Sequence, residues 1–245
     1  NNWNYYRELK SYVDSVVYPE FPYSHVYAIK EVVEKIPANS ILHLSINDSI
    51  RITNFFKLNP KIKTYANIGT HGIDGCLSSF LGQAAAGNKQ SYLIIGDLAF
   101  FYDMNAIRLR HIKNNVHILL INNRGGSEFY FNHMWKDEAS DLHTTARHHT
   151  KAEGWVKSND FIYLSAHDKK SLQKALKVFM LNNLDKPVFL EVFTEMKTDS
   201  DVIYDFFDLS RPKDLQSETI RKSKEFVKAT IGQEKALKIA SFFKK

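Results

Sequence analysis

Cysteine is all but missing from this 245-residue chain, and the single Cys76 cannot form an internal disulfide. Cys76 lies in a run of small and apolar residues, which predicts a buried thiol and not a nucleophile. Long apolar stretches are absent too, so no segment reads as a membrane span. No basic start followed by an apolar core is present, so no secretory signal is visible in it. Together these absences lead us to expect a reducing, cytoplasmic setting. The nucleotide loops G-x-G-x-x-G and Walker A are missing as well. The body also has almost no net charge. Residues 210–245 hold ten Lys/Arg and four Asp/Glu, which accounts for the whole +6 of the chain. A basic face on the body, the usual mark of a nucleic-acid reader, is therefore absent. The chain begins at Asn1 and not at Met; we expect an excised piece or a processed product.

What is present is an alternation of two patterns. Six short apolar segments read as strands: Ser40–Ile46, Ile62–Asn67, Ser91–Gly96, Val116–Asn122, Phe161–Ala166 and Pro187–Phe193. Several are apolar throughout, as expected of strands covered on both faces. Helix-like stretches lie between them, at Asp48–Phe56, Gly72–Gly87, Asp103–Lys113 and Lys169–Leu184. This predicts an α/β fold with a mainly parallel six-stranded sheet and helices on both faces. Residues 1–24 read as a connector and lead-in helix, 25–208 as the α/β domain and 209–245 as a basic helical tail. Within the tail, Gln216–Thr230 and Gln233–Phe243 read as two amphipathic helices. Lys197–Phe207 reads as a pocket lid or as a plain surface loop.

The stretch from Ile94 to Phe129 is the most informative. It holds two strand-like runs that end in polar pairs, Gly96-Asp97 and Asn122-Asn123, followed by Gly125-Gly126. In parallel sheets ligands bind beyond the carboxyl ends of the strands. Asp97 and Asn123 are one strand–helix–strand unit apart, so adjacent strands can bring them together. A carboxylate, an amide oxygen and a loop carbonyl such as that of Gly125 form a hard oxygen set. Such a set suits Mg²⁺, which completes its shell with water and phosphate oxygens. A helix beginning after Asp97 would turn free N–H groups toward a phosphate. These features suggest a metal-bridged diphosphate.

The order G-D, helix, strand, N-N, Gly resembles the thiamine diphosphate motif of the thiamine-dependent enzymes. Within that superfamily, "GDLAFFYDMNAIR" and "NNRGGSEF" are most similar to the 2-succinyl-5-enolpyruvyl-6-hydroxy-3-cyclohexene-1-carboxylate synthase family of menaquinone biosynthesis. "YANIGTHGIDGCLSSFLGQAAA", Tyr65 to Ala86, resembles the N-R-G-x-x-G-I-D-G run of that family. The resemblance covers about residues 38–193, the diphosphate-binding domain. It implies the thiamine diphosphate-binding fold and the cofactors thiamine diphosphate and Mg²⁺. It implies that Asp97, Asn123 and the Gly125 carbonyl bind the metal. Gly96, Leu98 and Ala99 would meet the diphosphate through their backbones. Ile73 would be the apolar wedge beneath the thiazolium, Gly72 would expose backbone to the aminopyrimidine, and Phe129 would wall the thiazolium. Ser49 matches a serine of the substrate pocket.

The resemblance also implies what this chain would need. In the superfamily a Glu on a separate pyrimidine-binding domain activates the cofactor, and no such domain is visible here. The chain therefore reads as the carboxy-terminal domain of a longer enzyme acting on a 2-oxo acid, inactive alone, in a homodimer or larger assembly. Two family arginines fall on Ile68 and Thr53, Glu128 replaces an apolar residue, and Arg124 sits inside the metal loop. Different substrates are expected, with Arg51, His71 or Arg124 as substitute anchors, since neither Ile nor Thr replaces a guanidinium fork. His71 is a proton carrier or a hydrogen-bonded structural histidine. His143, His148 and His149 read as a surface or pocket-lip loop ahead of a zinc site, and Trp135 and Trp155 as packing residues. The rival readings are the diphosphate subunit of a split 2-oxo acid decarboxylase, a non-catalytic nucleotide or effector module, and a nucleic-acid binder acting through the basic tail.

Overall fold

The computed structural model describes residues 2–15, 17–69, 71–130 and 142–209. Residues 18–205 form one compact unit. Its centre is a six-stranded sheet in the order β2-β1-β3-β4-β6-β5. The strands are β1 Ile41–Leu44, β2 Lys63–Ala66, β3 Ser91–Gly96, β4 Val116–Asn122, β5 Ile162–Ala166 and β6 Val188–Phe193. Every pairing is parallel. The six expected strands are therefore present, β3 and β4 to the residue and the other four trimmed at one or both ends.

Burial follows position in the sheet. Every residue of β4 is buried, whereas β2, at one edge, exposes Lys63, Thr64 and Tyr65. A lysine on an edge strand hinders pairing with a foreign strand. The apolar runs of β3, β4 and β6 are what a doubly covered parallel sheet requires. Leu77, Phe80, Phe100 and Phe189 form the centre of one core layer, where the rings of Phe100 and Phe189 meet edge-on at 5.0 Å. Cys76 belongs to the same layer as a buried free thiol. Trp155 packs against it and donates from its indole to the Met104 carbonyl at 2.9 Å.

The helices are α1 Asn2–Ser15, α2 His25–Val33, α3 Asp48–Thr53, α4 Cys76–Ala85, α5 Asp97–Asp103, α6 Glu153–Ser158, α7 Lys169–Phe179 and α8 Met196–Leu209. Ser24 caps α2 by accepting the Tyr27 N–H, and Asp168 and Ser171 form a reciprocal capping box on α7, satisfying donors that a helix start leaves free. Leu172, Leu176 and Phe179 form the buried stripe of α7.

Two expectations change. The helix expected at Asp103–Lys113 instead starts at Asp97, directly after β3, and tightens into a 3-10 turn at Met104–Arg108. Burial of Ala99 and Phe100 draws the first turn onto the core, and Asp103 accepts from the Ser78 N–H and hydroxyl, both at 2.8 Å. The stretch Lys197–Phe207, expected as a lid or loop, lies in helix α8, where Asp199, Ser200, Val202 and Ile203 are buried. Helices α2 and α6 were not legible in the sequence.

Helix α1 lies in the other compact unit, with Trp3, Tyr5, Tyr6 and Leu9 exposed. The expected tail helices, the basic segment 210–245 and Trp135 lie outside the described residues. Among those described, no helix is long and apolar enough to cross a membrane.

Candidate functional site

The chain order reverses between β1 and β3. The strand after β1 in sequence, β2, lies on one side of it, and β3 lies on the other. Loops leaving two such strands diverge and open a crevice at their carboxyl ends. A cavity of about 100 Å³ lies there, lined by the loops that follow β1, β3 and β4. From the first loop come Ser45 to Ser49, from the second Gly96 to Ala99, and from the third Asn123 and Gly125 to Phe129. Ile73 and, from α2, His25 and Ile29 complete the wall.

Of the residues singled out in the sequence, Ser49, Ile73, Gly96, Asp97, Leu98, Ala99, Asn123, Gly125 and Phe129 all line this one cavity. Gly72 and His71 do not; His71 is exposed, in a left-handed conformation at φ 54°. Arg124 turns to a second hollow that it shares with His149, Lys151 and Phe193.

Parallel pairing sets Gly96 opposite Ile121, so β3 and β4 end side by side. Asp97 is 2% exposed. One carboxylate oxygen accepts the Leu98 N–H at 2.7 Å and the other accepts the Gly125 N–H at 2.9 Å. This ties the glycine loop to the strand end. Gly125 has φ 148°, and a Cβ there would stand 2.6 Å from the Thr145 carbonyl oxygen. Only glycine fits that close approach. Asn123 donates its amide to Asp199 Oδ2 at 3.0 Å, which leaves its side-chain oxygen for a ligand. The Asp97 carboxylate, the Asn123 oxygen and the Gly125 carbonyl make an oxygen donor set suited to a hard divalent cation. His148, from the histidine loop, brings Nε2 to 3.2 Å from Asp97 Oδ2 without hydrogen-bond alignment. Among the described residues, no group of three or more His, Cys, Asp or Glu is arranged to hold a metal. A zinc cluster is thus not formed by His143, His148 and His149.

Behind the donor set lies a buried polar network. Asp199 is fully buried and accepts from the His25 N–H at 2.8 Å and the Thr194 hydroxyl at 2.6 Å, besides Asn123. His25, 1% exposed, has Nδ1 3.4 Å from Asp199 and Nε2 3.6 Å from Asp48. Burial opposes its charged form, but the two carboxylates outweigh burial and raise its pKa above the ordinary imidazole value. For Asp48, burial pushes upward, yet His25, the Ser127 hydroxyl and Arg51 prevail and hold it below the usual carboxylate range. Glu128 is raised, chiefly by burial, against the pull of its hydrogen-bonded partner Arg51. The backbone at Asn47 is left-handed, φ 63°, where the β1 loop enters the cavity, a conformation that side chains rarely adopt.

No protein-family model matches the chain. Curated relatives do. A 2-succinyl-5-enolpyruvyl-6-hydroxy-3-cyclohexene-1-carboxylate synthase from Bacteroides fragilis is 37% identical over 205 residues, 83% of this chain. One of the same name from Phocaeicola vulgatus is 34% identical over 200 residues, 81% of the chain. Another from Christiangramia forsetii is 34% identical over 193 residues, 78% of the chain. Most of this chain is similar to these synthases. It spans 37%, 36% and 33% of their respective lengths.

Against that similarity to the synthases, the cavity has polar members that sequence reasoning passed over: His25, Ser45, Asp48 and Ser127. His25 and Asp48 were hidden because their partners, Asp199 and Ser127, are 174 and 79 positions away. At positions noted as departures, Thr53 is buried and its hydroxyl donates to the Ser49 carbonyl at 2.7 Å, while Ile68 is exposed. Glu128 is met by Arg51 from α3.

Proposed function

We propose that this chain is the diphosphate-binding domain of a thiamine diphosphate- and Mg²⁺-dependent transferase or lyase acting on a 2-oxo acid. The observation that carries the reading is the convergence of Asp97, Asn123, Gly125 and Ile73 on one cavity at the switch point of the sheet. The residues present fit the group. The oxygen donors suit Mg²⁺, and the cradle at Gly125 is one that a Cβ would fill. Similarity to the synthases over most of the chain supports the same reading.

In this proposal Asp97, Asn123 and the Gly125 carbonyl hold the cation, and the backbone from Gly96 to Ala99 meets the diphosphate. Ile73 supports the bent cofactor, Gly72 offers backbone to the aminopyrimidine, and Phe129 walls the thiazolium. When bound, thiamine diphosphate supplies an electron sink for decarboxylation and carbon–carbon bond formation. Ile46, Ile73 and Ile121 keep water from the inner wall, and Ser49 is placed to orient substrate. A pyrimidine-binding domain, on the same or another chain, supplies the activating Glu, and the assembly is a homodimer or larger. Substrates differ from those of the synthases, because Ile68 and Thr53 offer no guanidinium and Arg51 is engaged by Glu128.

Calorimetric titration of the full-length protein with thiamine diphosphate, with and without Mg²⁺, tests this. Saturable, Mg²⁺-dependent binding that disappears in Asp97→Ala is expected. Absence of such binding, or its survival unchanged in Asp97→Ala, overturns the reading.

A further inference from the structure

The loop that leaves β4 lines two different spaces. Asn123 and Gly125 face the cavity described above, whereas Asn122 and Arg124 line a second hollow of about 240 Å³. The hollow lies where β4 and β6 end side by side, with Asn122 opposite Phe193. That is the end of a parallel sheet at which ligands bind. His149, Thr150 and Lys151, from the segment before α6, complete its lining.

Its side chains are mostly donors. Arg124 offers a guanidinium fork, Lys151 an ammonium, His149 an imidazole and Thr150 a hydroxyl. All four residues are exposed, so a dissolved ligand reaches them directly. None of the four has a side-chain hydrogen bond among the described residues. Arg124 is paired there with Glu195, at 4.0 Å, and the Glu195 side chain is itself 69% exposed. Other carboxylates close by are already engaged. Glu153 accepts from Lys157 at 2.6 Å. Glu191 is buried, with its oxygens taken by Asn122, Tyr163 and Ala152. The Lys151 ammonium stands 5.9 Å from the centre of the Phe193 ring, against which His167 stacks at 4.6 Å. A concave surface lined by charge of one sign focuses its potential and gathers counter-ions. Arg124 also holds a left-handed backbone at φ 69°, a strain that side chains adopt mainly at functional positions.

We propose that this hollow binds a phosphate dianion, free or carried as the monoester of a small molecule. The Arg124 fork pairs with two phosphate oxygens, and Lys151 meets a third as a point charge. A carboxylate has two oxygens and one charge, and leaves part of this donor set unmet. The site is separate from the cavity that holds Asp97, and it stands whether or not that cavity takes thiamine diphosphate.

Calorimetric titration of the full-length protein tests it, at constant ionic strength, with inorganic phosphate, glycerol 3-phosphate and acetate as probes. Saturable phosphate binding is expected, at least ten-fold tighter than acetate. Tighter binding of glycerol 3-phosphate assigns the site to a monoester, and tighter binding of inorganic phosphate assigns it to the free ion. Arg124→Asn combined with Lys151→Gln removes both cations, and asparagine tolerates the left-handed backbone. The double variant is expected to weaken phosphate binding ten-fold or more, with an unfolding midpoint near that of the wild type. If it does not fold, Lys151→Gln alone gives the same reading with a smaller loss. Asp97→Ala is expected to leave phosphate binding in place. No saturable phosphate binding, acetate binding as tightly, or a loss in Asp97→Ala but not in the hollow variants overturns the proposal. Thiamine diphosphate binding without phosphate binding sinks this inference and leaves the functional reading standing. Phosphate binding in the hollow without thiamine diphosphate binding does the reverse.

Discussion

The side-chain amide of Asn123 donates to Asp199 Oδ2 at 3.0 Å, and that bond decides which way the amide is turned. Asp199 is held as an acceptor, with the His25 N–H and the Thr194 hydroxyl as its other donors. The Asn123 nitrogen therefore faces Asp199, and its oxygen is left for the cavity. A residue of α8 thus positions a group at the end of β4. Loss of a partner that orients a metal ligand typically costs about 10–100-fold in metal affinity. Asp199→Ala is expected to raise the Mg²⁺ concentration needed for cofactor binding at least ten-fold in calorimetry, with Asp199→Asn intermediate. Unchanged Mg²⁺ dependence in a destabilised variant would reduce Asp199 to a purely structural role.

Gly125 is the second point of sensitivity. Its φ of 148° and the 2.6 Å approach of the Thr145 carbonyl exclude a side chain. Gly125→Ala is expected to cost about 3 kcal/mol in urea unfolding, through both backbone strain and overpacking. Gly154→Ala, where a Cβ meets nothing within 4 Å, serves as the control and is expected to change stability by less than about 0.5 kcal/mol.

His25 makes stability depend on pH. Its folded pKa is raised above the unfolded value, because Asp199 and Asp48 outweigh burial. The folded state then holds the proton more tightly than the unfolded chain. The contribution is fully present below the unfolded histidine pKa of 6.5 and is lost as pH rises through the folded value. Stability is expected to fall on the alkaline side of 6.5, by at most about 1.4 kcal/mol per pH unit for one proton. Denaturant melts from pH 6 to 9 measure this slope, and His25→Asn is expected to flatten it. A slope identical in the variant would assign it to another group.

Glu191 is the charged residue inside the sheet, fully buried in β6. It accepts from Asn122 at 2.7 Å, from the Tyr163 hydroxyl at 2.6 Å and from the Ala152 N–H. Glu191→Ala strands three donors, and breaking a buried network of this kind costs about 3–5 kcal/mol. Glu191→Gln keeps the shape and an acceptor oxygen, and is expected to cost less than half as much. Equal losses in thermal or urea unfolding would contradict the network as the cause.

Local chemistry made much of this chain legible in advance. The apolar runs at Val116–Asn122 and Ser91–Gly96 matched β4 and β3 to the residue, because a strand covered on both faces needs apolar side chains at successive positions. Gly96-Asp97 and Asn122-Asn123 announced themselves by interrupting those runs. Cys76 read correctly as a buried thiol from its neighbours alone. Where the sequence misled, long-range contacts were responsible. Lys197–Phe207 looked polar and loose because the partners of Asp199, Asn123 and His25, lie far away in the chain. Glu191 gave no signal in the sequence, because its partners Asn122 and Tyr163 are 69 and 28 positions away.

The division follows the range of the forces. Periodicity, turn residues and caps act over a few positions, so the sequence by itself determined the order of the strands and of several helices between them, and marked Asp97, Asn123 and Gly125. Which strands become neighbours depends on the burial of whole faces. Only the tertiary structure therefore placed the switch point between β1 and β3 and turned Asn123 toward Asp199. It alone gathered Ser45, His25, Asp48 and Glu128 on one wall.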